Sequence, residues 1–347
     1  MSASPEDPRY SRQVLFRPIG DKGQRRLLDS TVALVGCGAL GASLAEQLVR
    51  VGVGRLVLVD RDVVEESNLG RQALYTAQDA ADGLPKVVAL AGHLRAFNPD
   101  IDVDPRVSDL NASTVREHLS GADLVLDGTD NFDTRYLLND WCVSENVPWI
   151  YGACVASRGL TAVIVPGETP CLRCLFPEPP AAGSAETCDT SGIIAPAATM
   201  IASLQVAEAL KILTGNGDAV RRTLFSIELW PFRVFEMGGE DPQPRPDCPC
   251  CGDRTFAWLD GTERTRALTY CGRDAVQVVP TGAARGFDLD AVETRLSASF
   301  ACRRNDYVLK VEVPGYVLTV FDDGRALVSG TGDADEARSL YDRYVGS

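Results

Sequence analysis

The chain has 347 residues, which is long for one domain and leaves room for a large core with a smaller module. Its formal net charge of -14 disfavours non-specific binding to nucleic acid or to an anionic membrane surface, although an acidic surface also serves solubility. No run approaches the ~18 apolar residues of a membrane span, and the N-terminus lacks the basic and apolar regions of a secretory signal, so we expect a cytoplasmic protein.

The first segment with a recognisable pattern is Arg9-Tyr10-Ser11-Arg12-Gln13, which precedes a short charged helix predicted over residues 21–29. Judged from the residues alone, an Arg-x-x-Arg spacing near a terminus is typical of a solvated face. Arg12 therefore gains a functional interpretation only if other parts of the chain supply one.

The next stretch has the pattern of a βαβ nucleotide-binding unit. Strands are predicted over residues 31–35 and 55–59, with an apolar helix between them. The turn before the helix has the spacing Gly-x-Gly-x-x-Gly, which lets the backbone approach a phosphate at the helix N-terminus. Asp60 ends the second strand, where a carboxylate binds ribose hydroxyls. The glycines are Gly36, Gly38 and Gly41, and this pattern alone indicates a nucleotide, most often NAD or FAD.

A polar cluster follows the second strand in the sequence Ser67-Asn68-Leu69-Gly70-Arg71-Gln72. A dehydrogenase has no use for Asn68, Arg71 and Gln72 directly after its ribose-binding acid. The cluster therefore favours a nucleotide chemistry other than hydride transfer.

Lys86 precedes a helix predicted over residues 87–97, directly after Pro85. A cation at a helix N-terminus opposes the helix dipole. Lys86 therefore either extends into solvent or contacts an anion such as a phosphate.

Residues 122–127 have the composition of a buried parallel strand that ends in Gly128-Thr129-Asp130-Asn131. Ligands of open α/β sheets bind beyond the carboxyl ends of the strands. Asp130 lies at such an end, where it either caps a helix predicted over residues 131–144 or contacts a ligand. Strands at 147–152 and 159–165 continue the sheet toward an antiparallel edge. We therefore predict an α/β fold with a Rossmann-like, doubly wound, mostly parallel sheet.

The chain has eleven cysteines and two histidines, which in a protein without a secretion signal indicates metal binding or catalysis rather than disulfides. Two Cys-x-x-Cys pairs, Cys171/Cys174 and Cys248/Cys251, supply the four thiolates of a tetrahedral zinc site. Cys250 is a spare thiol that replaces Cys248 or Cys251 in an alternative ligand set, and a redox dithiol is the alternative for one pair. Three further cysteines in apolar surroundings are predicted to be core thiols: Cys37, Cys142 and Cys154.

A segment rich in Pro, Gly, Ala and Ser covers residues 176–192, and it is predicted to be a mobile loop. Cys188 in such a loop is either exposed by chance or available as a nucleophile. A long helix over residues 196–214 follows and ends at Gly215.

The last part of the chain is predicted to form a separate domain. Strands are predicted over residues 307–313, 316–321 and 326–329, followed by an amphipathic helix over 333–344. We therefore predict a nucleotide-binding domain over residues 1–254 with the cysteine pairs, and a small α+β domain of unknown role over residues 255–347.

These motifs, in this order over about the first 250 residues, resemble the MoeB/ThiF/HesA family of ubiquitin-activating-enzyme-like adenylyltransferases. The hallmark Ser-Asn-Leu-x-Arg-Gln stands unbroken at residues 67–72. The resemblance implies an ATP-dependent enzyme that converts the C-terminal glycine of a ubiquitin-like sulfur carrier, ending in Gly-Gly, into an acyl-adenylate. The cofactors implied are ATP, Mg²⁺ and Zn²⁺.

The resemblance also gives the candidate residues their roles. Arg71 and Lys86 hold the triphosphate, and Arg12 reaches across a homodimer to the neighbouring subunit's ATP. Asp130 binds Mg²⁺. Cys188 carries sulfur or forms a thioester, and the sulfur comes from a cysteine desulfurase or another donor. The nucleotide contacts are completed by Gly36, Gly38, Gly41, Asp60, Asn68 and Gln72.

Other functions stay open at this point. The acceptor is alternatively a carboxylate on a tRNA base, disfavoured by the acidity and the cysteine pairs, or a peptide antibiotic. An NAD oxidoreductase or dinucleotide-binding regulator has no use for Arg71 or Lys86. Cys271 and Cys302 do not match the catalytic loop of the rhodanese domain that ends some relatives, so no sulfurtransferase activity is expected. The sequence does not choose among the sulfur carriers of molybdopterin, thiamine and thiolated-tRNA synthesis.

Overall fold

The structure is a computed structural model that describes residues 4–180, 186–239, 242–262, 275–279 and 287–346. The chain divides into two units. One contains Met1–Asp79 and Pro85–Arg264, and the other contains Ala80–Leu84 and Thr265–Ser347. Trp258 and Leu259, which follow the predicted boundary at residue 254, are buried in the core of the first unit. Cys271 lies outside the described residues.

The first unit is a sheet flanked by helices. Its strands are β1 (Thr31–Val35), β2 (Arg55–Asp60), β3 (Asp102–Val107), β4 (Leu124–Asp127), β5 (Trp149–Val155), β6 (Arg158–Ile164), β7 (Leu224–Leu229) and β8 (Phe232–Met237). The helices before residue 264 are α1 (Ser11–Val14), α2 (Gly20–Asp29), α3 (Ala39–Val51), α4 (Ala77–Ala81), α5 (Lys86–Phe97), α6 (Val115–Leu119), α7 (Phe132–Glu145), α8 (Leu172–Leu175), α9 (Cys188–Ser191) and α10 (Ala195–Thr214).

The sheet has the strand order β3-β2-β1-β4-β5-β6-β7-β8. Pairing is parallel from β3 through β5 and antiparallel from β5 through β8. The chain direction across the sheet reverses between β1 and β4, which is the switch point where α/β sheets bind ligands. The predicted Rossmann-like, mostly parallel sheet with an antiparallel edge is confirmed.

β7 and β8 were not expected from the sequence. All six residues of β8 are exposed, so the strand lacks the apolar alternation that identifies a half-buried strand. Its large apolar side chains include Phe232, which is 71% exposed, and Phe235, which is 54% exposed. The edge of the sheet therefore carries an uncovered apolar surface within the described chain.

The long helix α10 is a core helix of this unit. It packs on α3, β5 and β6, and its fully buried Gln205 donates hydrogen bonds to the carbonyl oxygens of Asp127 and Ile150 at 3.2 and 3.1 Å. By length and composition alone α10 is apolar enough to cross a membrane, but half of that stretch is buried inside the protein. Gly215 ends it in the left-handed conformation, as predicted.

The second unit contains an antiparallel sheet and two helices among its described residues. The strands are β9 (Ala275–Val278), β10 (Ala301–Arg304), β11 (Val308–Val313), β12 (Tyr316–Phe321) and β13 (Ala326–Ser329), and the helices are α11 (Leu289–Leu296) and α12 (Ala334–Tyr344). The strand order is β10-β11-β12-β13-β9. The small α+β architecture predicted for this region is therefore confirmed, and β9, β10 and α11 add to it. Asn305 donates to the carbonyl oxygens of Asp82 and Gly83, which explains why residues 80–84 belong to this unit.

A buried ion pair ties the central strands of the first unit to α7. Arg135 Nε lies 3.1 Å from Asp127 Oδ2, and both side chains are at most 5% exposed. Arg135 also donates to the carbonyl oxygens of Thr129 and Gly152 at 2.6 and 3.1 Å. Burial raises the pKa of Asp127, and the arginine counteracts this effect.

Replacing Arg135 by leucine should destabilise the first unit by about 3–5 kcal/mol at neutral pH, because Asp127 is then buried without a counter-ion. A carboxyl whose pKa is raised in the folded state disfavours folding increasingly as the pH rises from its unfolded value, near 4, through its folded value. The loss of unfolding free energy in the variant should therefore be smaller at pH 5 than at pH 7.5. Urea unfolding at the two pH values measures both effects.

Tryptophan fluorescence follows the first unit specifically, because it contains every tryptophan of the chain: Trp141, Trp149, Trp230 and Trp258. The control is Arg116→Leu, which removes an exposed ion pair with Glu145 and should cost less than about 1 kcal/mol at either pH. An equal loss for Arg135→Leu at both pH values would contradict the role assigned to the Asp127 charge.

Candidate functional site

The glycine turn joins β1 to α3 at the switch point of the sheet. Gly36 has a φ of +85°, which glycine adopts at little cost, and a Cβ there would lie 2.7 Å from the backbone of Gly128. A Cβ on Gly41 would overlap the carbonyl oxygen of Gly36. The turn, the first turn of α3 and the end of β4 are therefore packed backbone against backbone, with no room for a side chain at Gly36 or Gly41.

Asp60 fixes this turn from the end of β2. Its carboxylate accepts hydrogen bonds from the backbone N–H of Cys37 at 2.6 Å and of Asp62 at 2.8 Å. The Tyr75 hydroxyl donates to the carbonyl oxygen of Cys37 at 2.7 Å. Burial raises the pKa of Asp60, while the charge of Lys86 acts in the opposite direction. Asp60, which was predicted to bind ribose, thus stabilises the conformation of the glycine turn.

Lys86 is the first residue of α5, with Pro85 as its N-cap. Its ammonium lies 2.8 Å from Asp62 Oδ2, and its side chain is only 4% exposed. Asp62 is therefore the anion that balances a lysine at a helix N-terminus. Sequence reasoning missed Asp62, although an Asp-x-Asp spacing at the end of a nucleotide-binding strand is a signal that would have found it.

The polar cluster at residues 67–72 folds into a compact turn next to the glycines. Asn68 is buried and completes a capping box with Glu65, and Arg71 donates to the carbonyl oxygen of Ser67 at 2.8 Å. Gln72 is 4% exposed, and its Nε2 lies 3.8 Å from a Cβ built on Gly38. Within the described chain nothing donates a hydrogen bond to Gln72 Oε1, a buried acceptor, so a ligand hydroxyl or amine fits this position.

Asp130 is exposed in the loop between β4 and α7. Asn131, not Asp130, is the N-cap of α7, because Asn131 Oδ1 accepts from the Thr134 backbone N–H at 2.8 Å. The capping alternative for Asp130 is therefore wrong. Gly128, at the start of the same loop, contacts the glycine turn. The loop that carries Asp130 therefore begins next to this turn.

Arg12 lies apart from these residues. It is exposed on α1, and the neighbouring Gln13 donates to the carbonyl oxygen of Val51 at 2.9 Å. Val51 ends α3, whereas the glycine turn lies at the beginning of this helix. At a rise of about 1.5 Å per residue, the two ends of α3 are separated by roughly 18 Å. The structure therefore does not bring Arg12 to the glycine turn of its own chain.

Four cysteines meet where the two Cys-x-x-Cys pairs converge. The sulfur atoms of Cys171, Cys174, Cys248 and Cys251 all lie within 4.8 Å of one another. Cys250 is outside this group and lies 3.1 Å from the side-chain nitrogen of Asn139, which donates to its sulfur. The cluster consists of the predicted set, without Cys250.

Cys188 begins the short helix α9 and is partly buried. Its Sγ lies 3.4 Å from the carbonyl oxygen of Cys154, at the end of β5. Cys154 was predicted to be a core thiol, but it is only partly buried, unlike Cys37 and Cys142. The cysteine pair formed by residues 154 and 188 was not visible in the sequence.

Comparison with known proteins adds to this geometry. Residues 10–250 match the ThiF family. Over 339 residues the chain is 42% identical to the sulfur carrier protein ThiS adenylyltransferase of Bacillus subtilis, covering 97% of this chain and 99% of that protein. It is 41% identical over 252 residues to the SAMP-activating enzyme E1 of Haloferax volcanii, covering 71% of this chain and 88% of that protein.

Among solved structures, E. coli MccB with ATP superposes on this chain with a TM-score of 0.62 at 22% sequence identity. The superposition covers 72% of this chain and 76% of MccB. At this identity the likeness concerns the fold alone.

Proposed function

The chain belongs to the ThiF family, and we propose that it is an ATP-dependent adenylyltransferase for the C-terminal glycine of a ubiquitin-like sulfur carrier protein. A carboxylate oxygen of the glycine attacks the α-phosphorus of ATP, the bond to the β-phosphate breaks, and pyrophosphate leaves. The product is an acyl-adenylate. The observation that carries the proposal is that the match to a ThiS adenylyltransferase spans nearly the whole of both chains.

The site suits this reaction because negative charge increases on phosphate oxygens while little proton transfer is needed. Catalysis then depends on positioning and on fixed positive charge. Arginine binds phosphate with two parallel hydrogen bonds, and lysine acts as a point charge. We assign Arg71 and Lys86 to the triphosphate, with Asp62 holding the ammonium of Lys86 in place until phosphate competes for it.

The remaining nucleotide contacts follow from the turn. We assign Gly36, Gly38 and Gly41 to the close approach of the nucleotide to the backbone, and Asp60 to hydrogen bonds from the ribose hydroxyls. The unsatisfied Gln72 Oε1 supplies a further acceptor, and buried Asn68 keeps Arg71 and Gln72 in one rigid turn. Asp130, an exposed carboxylate beside the turn, is our candidate Mg²⁺ ligand, because Mg²⁺ prefers carboxylate oxygens together with phosphate oxygens.

We assign Arg12 to the ATP of a second copy of the chain in a homodimer. The length of α3 separates Arg12 from the glycine turn of its own chain. Two exposed apolar residues follow it: Leu15 is 71% and Phe16 is 60% exposed. Exposed apolar residues beside a functional arginine are expected where a subunit interface covers them.

The four-cysteine cluster fits Zn²⁺. In a tetrahedral site with Zn–S bonds of about 2.3 Å the sulfur atoms lie about 3.8 Å apart. The cluster has separations of 3.6 Å between Cys171 and Cys248, 3.4 Å between Cys174 and Cys251, and 3.9 Å between Cys171 and Cys174. A zinc ion held there would join α8 to the segment at residues 248–251, so its role is structural.

Cys188 is our candidate for the sulfur step that follows adenylation, as the residue that carries a thioester or persulfide. Sulfur would come from a cysteine desulfurase or another persulfide donor. We place the reaction in the cytoplasm. The nucleotide-site residues serve any carrier ending in Gly-Gly alike, so the identity of the carrier rests on surface contacts.

The activity is tested by ATP–pyrophosphate exchange, measured with and without each ubiquitin-like protein of the host that ends in Gly-Gly. We expect exchange that requires one such protein and falls at least about 100-fold in Arg71→Ala, because the arginine stabilises phosphate charge in the transition state. Arg116→Ala, an exposed arginine on α6, is the matched control and should keep wild-type exchange. Exchange with none of these proteins, despite ATP binding, would instead indicate a non-protein or peptide carboxylate, and absence of ATP binding would refute the proposal.

The role of Arg12 is tested by complementation in mixed dimers. Arg12→Ala and Arg71→Ala should each be inactive alone. Co-expressed with different tags, they should recover roughly a quarter of the wild-type sites, because half of the dimers are mixed and each mixed dimer has one site with both arginines. No recovery in purified mixed dimers would place Arg12 and Arg71 in the same chain's site or outside it.

The zinc site is tested by metal content and stability. Cys251→Ser should lose most of the zinc bound by the wild-type chain and should destabilise the first unit by more than about 2 kcal/mol. Cys250→Ser is the matched control and should keep its zinc, since Cys250 lies outside the cluster. Zinc analysis after desalting and urea unfolding provide the two measurements. The reverse outcome, zinc lost in Cys250→Ser and kept in Cys251→Ser, would replace Cys251 by Cys250 in the ligand set.

A further inference from the structure

The segment that carries Cys188 is fixed to the end of the central sheet. The backbone N–H of Ala156 donates to the carbonyl oxygen of Gly192 at 2.8 Å, and the N–H of Ile194 donates to the carbonyl oxygen of Ala156 at 3.0 Å. Before the helix, Glu186 forms an ion pair with Arg158 of β6. α9 is thus held on both sides beside the last residues of β5.

This anchoring brings the thiol of Cys188 to the backbone carbonyl of Cys154. Cys188 Sγ lies 3.4 Å from the carbonyl oxygen of Cys154. Cys154 faces α10, because its Sγ lies 3.7 Å from the carbonyl oxygen of Ala197 in the first turn of that helix. α9 leads directly into α10, so both cysteines lie where β5 ends and α10 begins. Both are partly buried rather than sealed in the core.

The other described cysteines of the first unit are unsuitable for a redox pair with Cys188. Cys37 and Cys142 are fully buried, and Cys250 is buried beside the four-cysteine cluster. The four cysteines of the cluster lie close to one another. Cys154 is therefore the partner that the fold offers to Cys188 within the described part of this unit.

We infer that Cys154 and Cys188 form a reversible disulfide bond, a modification that links α9 covalently to the end of β5. The oxidant is of the low-molecular-weight disulfide class, RSSR. The Cys188 thiolate attacks one sulfur of RSSR and releases the first RS⁻, giving a mixed disulfide. The Cys154 thiolate then attacks the Cys188 sulfur and releases the second RS⁻. Two cysteine thiols are oxidised, and one RSSR is reduced to two RSH.

The environment of Cys154 sets the rate of the second step. Burial raises the pKa of Cys154 to about 12, and the nearby Cys188 adds to the effect. Its thiolate is therefore scarce at neutral pH, and the closing step should accelerate by about tenfold per pH unit below that value. Proximity compensates for the small thiolate fraction, since the attack is intramolecular.

The disulfide has a consequence that rests on the proposed function. It removes the thiol that we assign to sulfur transfer, and it leaves Arg71, Lys86 and Asp130 untouched. An oxidised enzyme should therefore keep ATP–pyrophosphate exchange and lose any step that needs Cys188. The bond itself does not depend on this role, so it is tested by mass spectrometry rather than by activity.

The experiment uses the full-length, zinc-supplemented protein incubated with oxidised glutathione, then alkylated and digested with trypsin without reduction. Arg158 and Arg173 lie between the two cysteines, so trypsin separates them into different peptides. We expect a linked peptide pair containing Cys154 and Cys188 that disappears on reduction. It should form about tenfold faster at pH 8.5 than at pH 7.5.

Three variants sharpen the result. In Cys154→Ala, Cys188 should accumulate as the mixed disulfide with glutathione, because nothing resolves it, and in Cys188→Ser the linked pair should be absent. Cys302→Ser is the matched control, since Cys302 is a partly buried cysteine of the other unit, and it should form the linked pair like the wild type. Cys188 found only as a glutathione adduct in the wild type, or linked to a different cysteine, would overturn the inference.

Discussion

The ion pair between Asp127 and Arg135 is the interaction on which the centre of the first unit depends. It joins the end of β4 to α7 where water is excluded, and Arg135 also binds the carbonyl oxygens of Thr129 and Gly152. Because an unpaired buried charge is costly, the pair opposes movements that would separate α7 from β4, from the loop after it, or from β5. The loop that carries Asp130 starts from this point, so the position of the candidate metal ligand depends on this ion pair.

A second set of charges shapes the nucleotide turn from the end of β2. Asp60 accepts from two backbone N–H groups, and Asp62 holds the ammonium of Lys86. The lysine is thereby ordered before any phosphate arrives, which lowers the entropy lost on binding. The same carboxylates make the site less positive than a list of its arginines and lysines suggests. In the proposed reaction, a phosphate oxygen would replace Asp62 as the anion beside Lys86.

Burial sorts the cysteines of the first unit by their chemistry. Cys37 and Cys142 are fully buried, so a thiol or disulfide from solvent does not reach either sulfur atom. The four clustered cysteines are close enough to share one metal ion. Cys154 and Cys188 are only partly buried, and neither belongs to the four-cysteine cluster. They lie next to the two backbone hydrogen bonds that join Ala156 to Gly192 and Ile194. Their neighbouring positions are the basis of the disulfide bond that we propose.

Local patterns determined much of this protein. The glycine spacing, the strand ending at Asp60, the polar run at residues 67–72 and the Cys-x-x-Cys pairs are each set within a few residues, so the βαβ unit, the parallel sheet and the cluster followed from the sequence. The tertiary structure decided what depends on distant residues: the pairing of Lys86 with Asp62, the exposed strand β8, the exclusion of Cys250, and the meeting of Cys154 with Cys188. In each case the partners are far apart in sequence or lack a periodic signal, and only the packing of the sheet brings them together.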